Sequence, residues 1–132
     1  MTHTHDEKIS LYERFGGADT LQKLVPSFYN KVSQHPDLAP IFPDDLRETA
    51  EKQYKFLSQF FGGPDLYSRE YGHPMLRARH MPFPITPKRA VAWISCMKEA
   101  LSEIEIEDEI KQEMLARMSF TAQHMINTPD SE

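Results

Sequence analysis

The sequence has little of what defines several large classes of protein. Its one cysteine, Cys96, excludes a disulfide within the chain, and a reducing cytoplasm suits such a chain. No apolar run approaches the length needed to span a membrane, and the start of the chain lacks the apolar core of a signal peptide. The formal net charge of -5 argues against a nucleic-acid binder, because phosphate binding requires a basic surface. We therefore expect a cytoplasmic protein with no membrane or nucleic-acid partner.

Common metal and phosphate motifs are also missing. There is no Cys-x-x-Cys, no His-Glu-x-x-His and no glycine-rich phosphate loop. Glu70 and His73 resemble half of a di-iron motif, but no second copy exists. His3 and His5 lie in a segment that we predict to be an untethered tail. Cys96 falls in an apolar helical pattern, which favours a buried and inert thiol.

The sequence is rich in helical patterns separated by glycine and proline. Apolar residues recur at helical spacing, and no segment alternates as a strand would. Five helices are expected. The first lies near 8–15, the second runs from a cap at Asp19 to His35, and the third runs from an Asp45–Glu48 capping box to Gly62. The fourth runs from Thr86 to about residue 101, and the fifth covers about 107–127. Residues 62–74 are predicted to form a functional loop. The pattern predicts one all-α domain over residues 1–132, with 1–7 and 128–132 as frayed tails.

Three polar side chains lie on the apolar faces of different predicted helices: Tyr29, Gln53 and Trp93. Each carries a hydrogen-bond donor that needs a partner when it is buried. A backbone carbonyl or a water can satisfy each one separately. Alternatively, the phenol, amide and indole converge on a single guest in the core, with Thr49 one turn before Gln53.

His80 lies near the end of a short segment bounded by prolines. An imidazole held in this way can ligate a metal or a haem iron, although a structural histidine is the simpler alternative. Basic residues cluster around it in an otherwise acidic chain, at Arg77, Arg79, Lys88 and Arg89. They form either a solvated rim or a seat for the carboxylates or phosphates of a ligand.

Taken in order, these residues resemble the group II branch of the truncated, two-over-two haemoglobins. The resemblance covers roughly residues 10–127. It depends on Gly16-Gly17, Phe28-Tyr29, His35-Pro36, Ile41-Phe42-Pro43, Gln53, Gly62-Gly63-Pro64, the run from His73 to His80, and Trp93.

The resemblance implies a globin-like two-over-two helical sandwich that holds haem b, iron protoporphyrin IX. His80 would be the proximal iron ligand, Tyr29 and Trp93 the distal pair, and Gln53 a further distal donor. Thr49 occupies the position where many larger globins carry a distal histidine, so donors on other helices would handle the ligand. Tyr29 is also a candidate ligand of ferric iron. The implied cofactor-binding residues are Phe42, Lys52, Phe56, Leu57, Leu76, Arg79, Met81 and Phe83, of which Arg79 and Lys52 would pair with the propionates.

The function implied is reversible binding of O2, CO, NO or similar ligands at a five-coordinate iron. Each hydrogen bond to a charged group contributes ~1.5–3 kcal/mol, so two donors would slow O2 release by on the order of 10²–10³. One alternative is a haem redox enzyme, a peroxidase or NO dioxygenase, which would need a reductase in trans. A second is a haem-free helical interaction module, in which Tyr29, Gln53 and Trp93 only pack.

Overall fold

The computed structural model describes residues 9–81 and 83–130, and every regular element in those ranges is helical. The all-α prediction is confirmed. The elements are α1 (Leu11–Arg14), α2 (Gly17–Val32), a 3-10 turn (Ala39–Ile41), α3 (Arg47–Phe60), α4 (Leu66–Tyr71), α5 (Leu76–His80), α6 (Pro87–Ser102) and α7 (Asp108–His124). None of the helices in the described ranges is long and apolar enough to cross a membrane.

Two helix pairs, α2 with α3 and α6 with α7, form the body of the fold. The pairs pack on each other mainly through α2 and α6, while α1 contacts α2 and α7, and α4 lies on α3. The contact surfaces are apolar stripes at helical spacing, as expected for helices that bury one face. The core between them is formed by Leu21, Leu24, Phe28, Val32, Met97, Ala100 and Met114, all fully buried.

The predicted starts of α6 and α7, at Thr86 and about Glu107, are confirmed, and two other predicted starts are wrong. Thr86 caps α6: its hydroxyl oxygen accepts from the Arg89 backbone N–H at 3.1 Å. The helix predicted to start at Asp19 begins earlier, because Gly16 adopts φ +103°, a conformation that L side chains rarely adopt. The capping box at Asp45 does not form, because its carboxylate binds Arg47 instead.

The segment 62–74 is not the open loop predicted from its glycines and prolines, since it contains α4. The Gln59 side chain on α3 bonds twice to Ser68 on α4: its Oε1 accepts from the Ser68 backbone N–H at 2.8 Å, and its Nε2 donates to the hydroxyl at 2.9 Å. These bonds from a neighbouring helix stabilise a helix that the glycines and prolines of the segment do not predict.

The described part of the C-terminal segment is anchored rather than frayed. The backbone N–H groups of Asn127 and Thr128 donate to the Ile85 carbonyl at 2.9 and 3.2 Å. The Lys88 backbone N–H donates to Asp130 Oδ1 at 3.1 Å. Residues 127–130 therefore bind the segment that leads into α6, which corrects the expectation of a loose tail for 128–130.

Candidate functional site

A cavity of about 530 Å³ lies between the two helix pairs. This volume falls within the range typical of ligand and cofactor sites. The residues that line it come from α2 to α7 and from the turn before α3. Most of the predicted site residues are on this wall: Tyr29, Phe42, Thr49, Lys52, Gln53, Phe56, Leu57, Leu76, Arg79, His80, Phe83 and Trp93.

Met81 is the predicted cofactor contact that the structure does not place on the cavity wall. Its side chain is 55% exposed. The residue follows α5 directly, and its neighbour His80 is the residue that lines the cavity. The Met81 assignment therefore has no geometric support.

His80 lies on the cavity wall with one ring nitrogen already bonded. Its Nδ1 is 2.8 Å from the carbonyl oxygen of Leu76, one turn earlier in α5. Because a carbonyl can only accept, Nδ1 must carry the hydrogen and donate. In the neutral ring the lone pair is then on Nε2, which is the form that ligates a metal.

Three hydrogen-bond donors reach the cavity from other helices: Tyr29 on α2, Gln53 on α3 and Trp93 on α6. Tyr29 is 6% exposed, and burial raises the pKa of its phenol well above the ordinary 10.0. None of the side-chain hydrogen bonds in the described ranges involves the Tyr29 hydroxyl, the Gln53 amide or the Trp93 indole N–H, and burial is the one cause of the Tyr29 pKa shift. These donors are therefore available to a guest in the cavity.

Phe28 links the tyrosine and the tryptophan. It is fully buried, and its ring centroid lies 4.9 Å from that of Tyr29 and 4.9 Å from that of Trp93, both at steep interplanar angles. Tyr29 also packs edge-on against Phe42 at 6.0 Å. Edge-to-face contacts of this kind restrict ring orientation, so the two donors are held by packing before any ligand arrives.

The α3 face of the cavity repeats at helical spacing. Thr49, Gln53, Phe56, Leu57 and Phe60 all line it, as the sequence pattern predicted. Residues three and four apart lie on one side of a helix. This face of α3 therefore places a hydroxyl, an amide and two aromatic rings on the cavity wall.

The predicted basic cluster is divided by the fold. Arg79 and Arg89 line the cavity together with Lys52. Arg89 is held in place by donating from Nε to the Asp37 carbonyl at 2.9 Å and from Nη1 to a second carbonyl at 2.7 Å. Lys88 is turned outward and pairs with the Asp37 carboxylate at 3.6 Å.

Sequence reasoning did not assign the α7 wall of the cavity, which consists of Met118, Thr121, Ala122 and Met125. Their spacing of three, one and three residues marks one helix face. The available signal was Thr121, a polar residue within that apolar stripe. Nothing in the sequence indicated that this stripe faces a cavity rather than core.

The chemistry of the wall suits haem. His80 offers a single imidazole ligand, and its surroundings are apolar, hydroxyl, amide or cationic groups. A metal at such a site must bring its other ligands with it, as iron in a porphyrin does. Apolar side chains suit the macrocycle, and the cations Lys52, Arg79 and Arg89 suit its carboxylates.

Comparisons with known proteins show the family of the chain. Residues 10–127 match the family of bacterial-like globins. The chain is 54% identical over 116 residues to "Group 2 truncated hemoglobin YjbI" of Bacillus subtilis, covering 88% of each chain. The structure superposes with a TM-score of 0.91 on the group II truncated haemoglobin of Bacillus anthracis, 54% identical, covering 93% of this chain and 95% of that one. It also matches the "truncated oxygen-avid haemoglobin" of B. subtilis at 0.87 and 54% identity, covering 90% and 100%.

Proposed function

Since the chain belongs to the bacterial-like globins, in the group II branch of the truncated haemoglobins, we propose that it holds haem b through His80. Haem-based binding of small diatomic ligands is the function consistent with this family. When bound, the haem supplies an iron that takes such ligands at the position left open by the protein. The proposed ligands are O2, CO and NO.

The observation that carries the proposal is the hydrogen bond of His80. Donation from Nδ1 to the Leu76 carbonyl at 2.8 Å fixes the ring orientation and leaves the Nε2 lone pair for the iron. A structural histidine with both nitrogens bonded in the core would offer no such lone pair. Arg79, Arg89 and Lys52 would pair with the propionates at the cavity wall.

Tyr29, Trp93 and Gln53 would hold the diatomic ligand by donating hydrogen bonds to it. Burial keeps the Tyr29 phenol protonated, because the raised pKa lies far above neutral pH. We expect slow O2 release for this reason, and the relative described as oxygen-avid supports the same expectation.

Ligand binding is favoured over peroxidase chemistry by the makeup of the wall. Among the described residues that line the cavity there is no carboxylate, and the one histidine is His80 itself. A peroxidase needs a group that accepts and returns a proton near neutral pH, and the free donors here are neutral phenol, indole and amide. Turnover with an external reductase stays a prediction that a steady-state assay with NO or peroxide would test.

Spectroscopy of the reconstituted protein tests the proposal. We expect one haem per chain, a Soret band, and a ferrous form that binds CO. His80→Gly should lose most of this binding and regain it when imidazole is added. His73→Gln is the matched control, because His73 lies outside the cavity wall and its Nδ1 accepts from the Met75 backbone N–H. Equal haem retention by wild type and His80→Gly would refute the proposal.

A further inference from the structure

Asn127, just beyond the end of α7, bonds to the backbone of the segment that carries His80. Its Nδ2 donates to the His80 carbonyl at 3.2 Å and to the Phe83 carbonyl at 3.0 Å. Its Oδ1 accepts from the Ile85 backbone N–H at 3.0 Å. One amide thus binds the chain at both ends of the stretch from His80 to Ile85.

The Asn127 side chain is itself held in one orientation. Its backbone N–H donates to the Ile85 carbonyl at 2.9 Å, so the main chain and the side chain of Asn127 both bond to Ile85. The Thr128 hydroxyl donates to Asn127 Oδ1 at 2.7 Å. The His80 and Phe83 carbonyls can only accept and the Ile85 N–H can only donate, so the oxygen and nitrogen of the amide cannot be exchanged without losing bonds.

The His80 segment needs such support because α5 is short. The helix has 5 residues and no side-chain cap. The His80 carbonyl lies in its last turn, where carbonyls lack helical partners, and it accepts from the Phe83 backbone N–H at 2.9 Å and from Asn127. A carboxamide can make both the two donations and the two acceptances found here, whereas a carboxylate would place charge beside two carbonyl oxygens.

We propose that Asn127 is a positioning residue that holds the His80 backbone, and through it the imidazole, in place against the iron. The proposal rests on the proposed function. His80 is held at two points: its imidazole Nδ1 donates to the Leu76 carbonyl, and its backbone carbonyl accepts from Asn127 Nδ2. Because α7 also lines the cavity, Asn127 connects the end of this wall helix to the segment that carries His80.

Asn127→Ala in the haem-reconstituted protein tests this role. Loss of groups that orient a metal ligand typically weakens metal binding 10–100-fold, so we expect haem transfer to an excess of a haem-scavenging protein to be about tenfold faster. The Fe–His stretching band in the resonance Raman spectrum should shift or broaden. Asn127→Asp keeps the oxygen that accepts from Ile85 but loses both donated hydrogen bonds. It should therefore change the Fe–His band in the same way. This variant provides a second test if Asn127→Ala does not fold.

Asp130→Ala is the matched control. It removes a bond from the same C-terminal segment, to the Lys88 backbone, without touching the His80 carbonyl. Its Fe–His band should equal that of wild type.

A double-mutant cycle separates positioning from general loosening of the fold. In His80→Gly rescued by imidazole, the iron ligand is no longer attached to the chain, so adding Asn127→Ala should leave the Fe–imidazole band unchanged. The inference is overturned if that band shifts as much as in the attached form. It is also overturned if wild type binds haem through His80 and Asn127→Ala has the wild-type band and haem-loss rate. A wild-type protein that binds no haem would contradict the proposed function itself, and the inference with it.

Discussion

Replacing Tyr29 by phenylalanine removes one hydroxyl from the cavity wall and little else. The ring is 6% exposed and held by Phe28 at 4.9 Å and Phe42 at 6.0 Å between centroids. Phenylalanine keeps that packing, so the variant should fold normally. Burial alone raises the pKa of this hydroxyl, with no hydrogen-bond partner among the causes, so its removal leaves no described protein group unpaired.

The expected size of the effect follows from the bond that the hydroxyl would make. A hydrogen bond to a charged acceptor contributes ~1.5–3 kcal/mol, which corresponds to O2 release roughly 10 to 150 times faster in Tyr29→Phe. Trp93→Phe should act in the same direction. The O2 release rate of the double variant should differ from the product of the two single-variant effects, because both rings pack on Phe28 and neighbouring sites are not independent.

Stopped-flow displacement of O2 by CO measures the rate directly. Tyr54→Phe is the matched control, because this tyrosine lies on α3 but not on the cavity wall. The wild-type rate should be flat from neutral to mildly alkaline pH. Burial raises the Tyr29 pKa above its ordinary value of 10.0, and the phenol stays a donor at every pH below that raised pKa. An unchanged release rate in the double variant would refute the claim that these side chains hold the ligand.

Three further predictions concern the rest of the fold. Gly63→Ala should lower the free energy of unfolding by ~1–3 kcal/mol in denaturant titrations, because the new Cβ would lie 2.7 Å from the Tyr12 ring and 2.8 Å from a backbone carbonyl; an unchanged midpoint contradicts this. A hydrogen bond from Lys31 holds the pKa of Glu103 below its ordinary 4.5, so this pair stabilises the fold above that pH and the benefit is lost as pH falls. Glu103→Gln should therefore unfold at a lower temperature than wild type at neutral pH but not in acid, and a gap that persists in acid argues against the pair. Cys96 is buried with a raised thiol pKa, so alkylation should require denaturant, and rapid labelling of the native protein would disprove its burial.

The helices of the sandwich could be predicted from the chain because their signals are local. The Thr86-Pro87 start of α6 and the apolar stripe of α3 are properties of neighbouring residues, and both occur where the pattern placed them. The prediction failed where distant groups decide the outcome. α4 is stabilised by the Gln59 side chain on another helix, and the segment 127–130 by backbone groups near Ile85.

The site divides in the same way. Tyr29, Gln53, Trp93 and His80 could be selected from sequence alone, because a donor on an apolar face and an imidazole on a short segment are visible in the chain. The sequence alone could not show which residues line the same cavity wall, because that depends on how the helix pairs pack. In the packed structure Arg89 lines the cavity, whereas Lys88 and Met81 are exposed to solvent. One face of α7 also lines the cavity.

The amino-acid pattern by itself determined the all-helical class and the polar groups able to hold a guest, because capping, spacing and burial preference act over a few residues. The folded chain was needed to decide the protonated nitrogen of His80 and the role of Asn127. Those features depend on hydrogen bonds to particular carbonyls. In the case of Asn127 the partners lie 42 to 47 positions away in the chain, and only packing brings them within bonding distance.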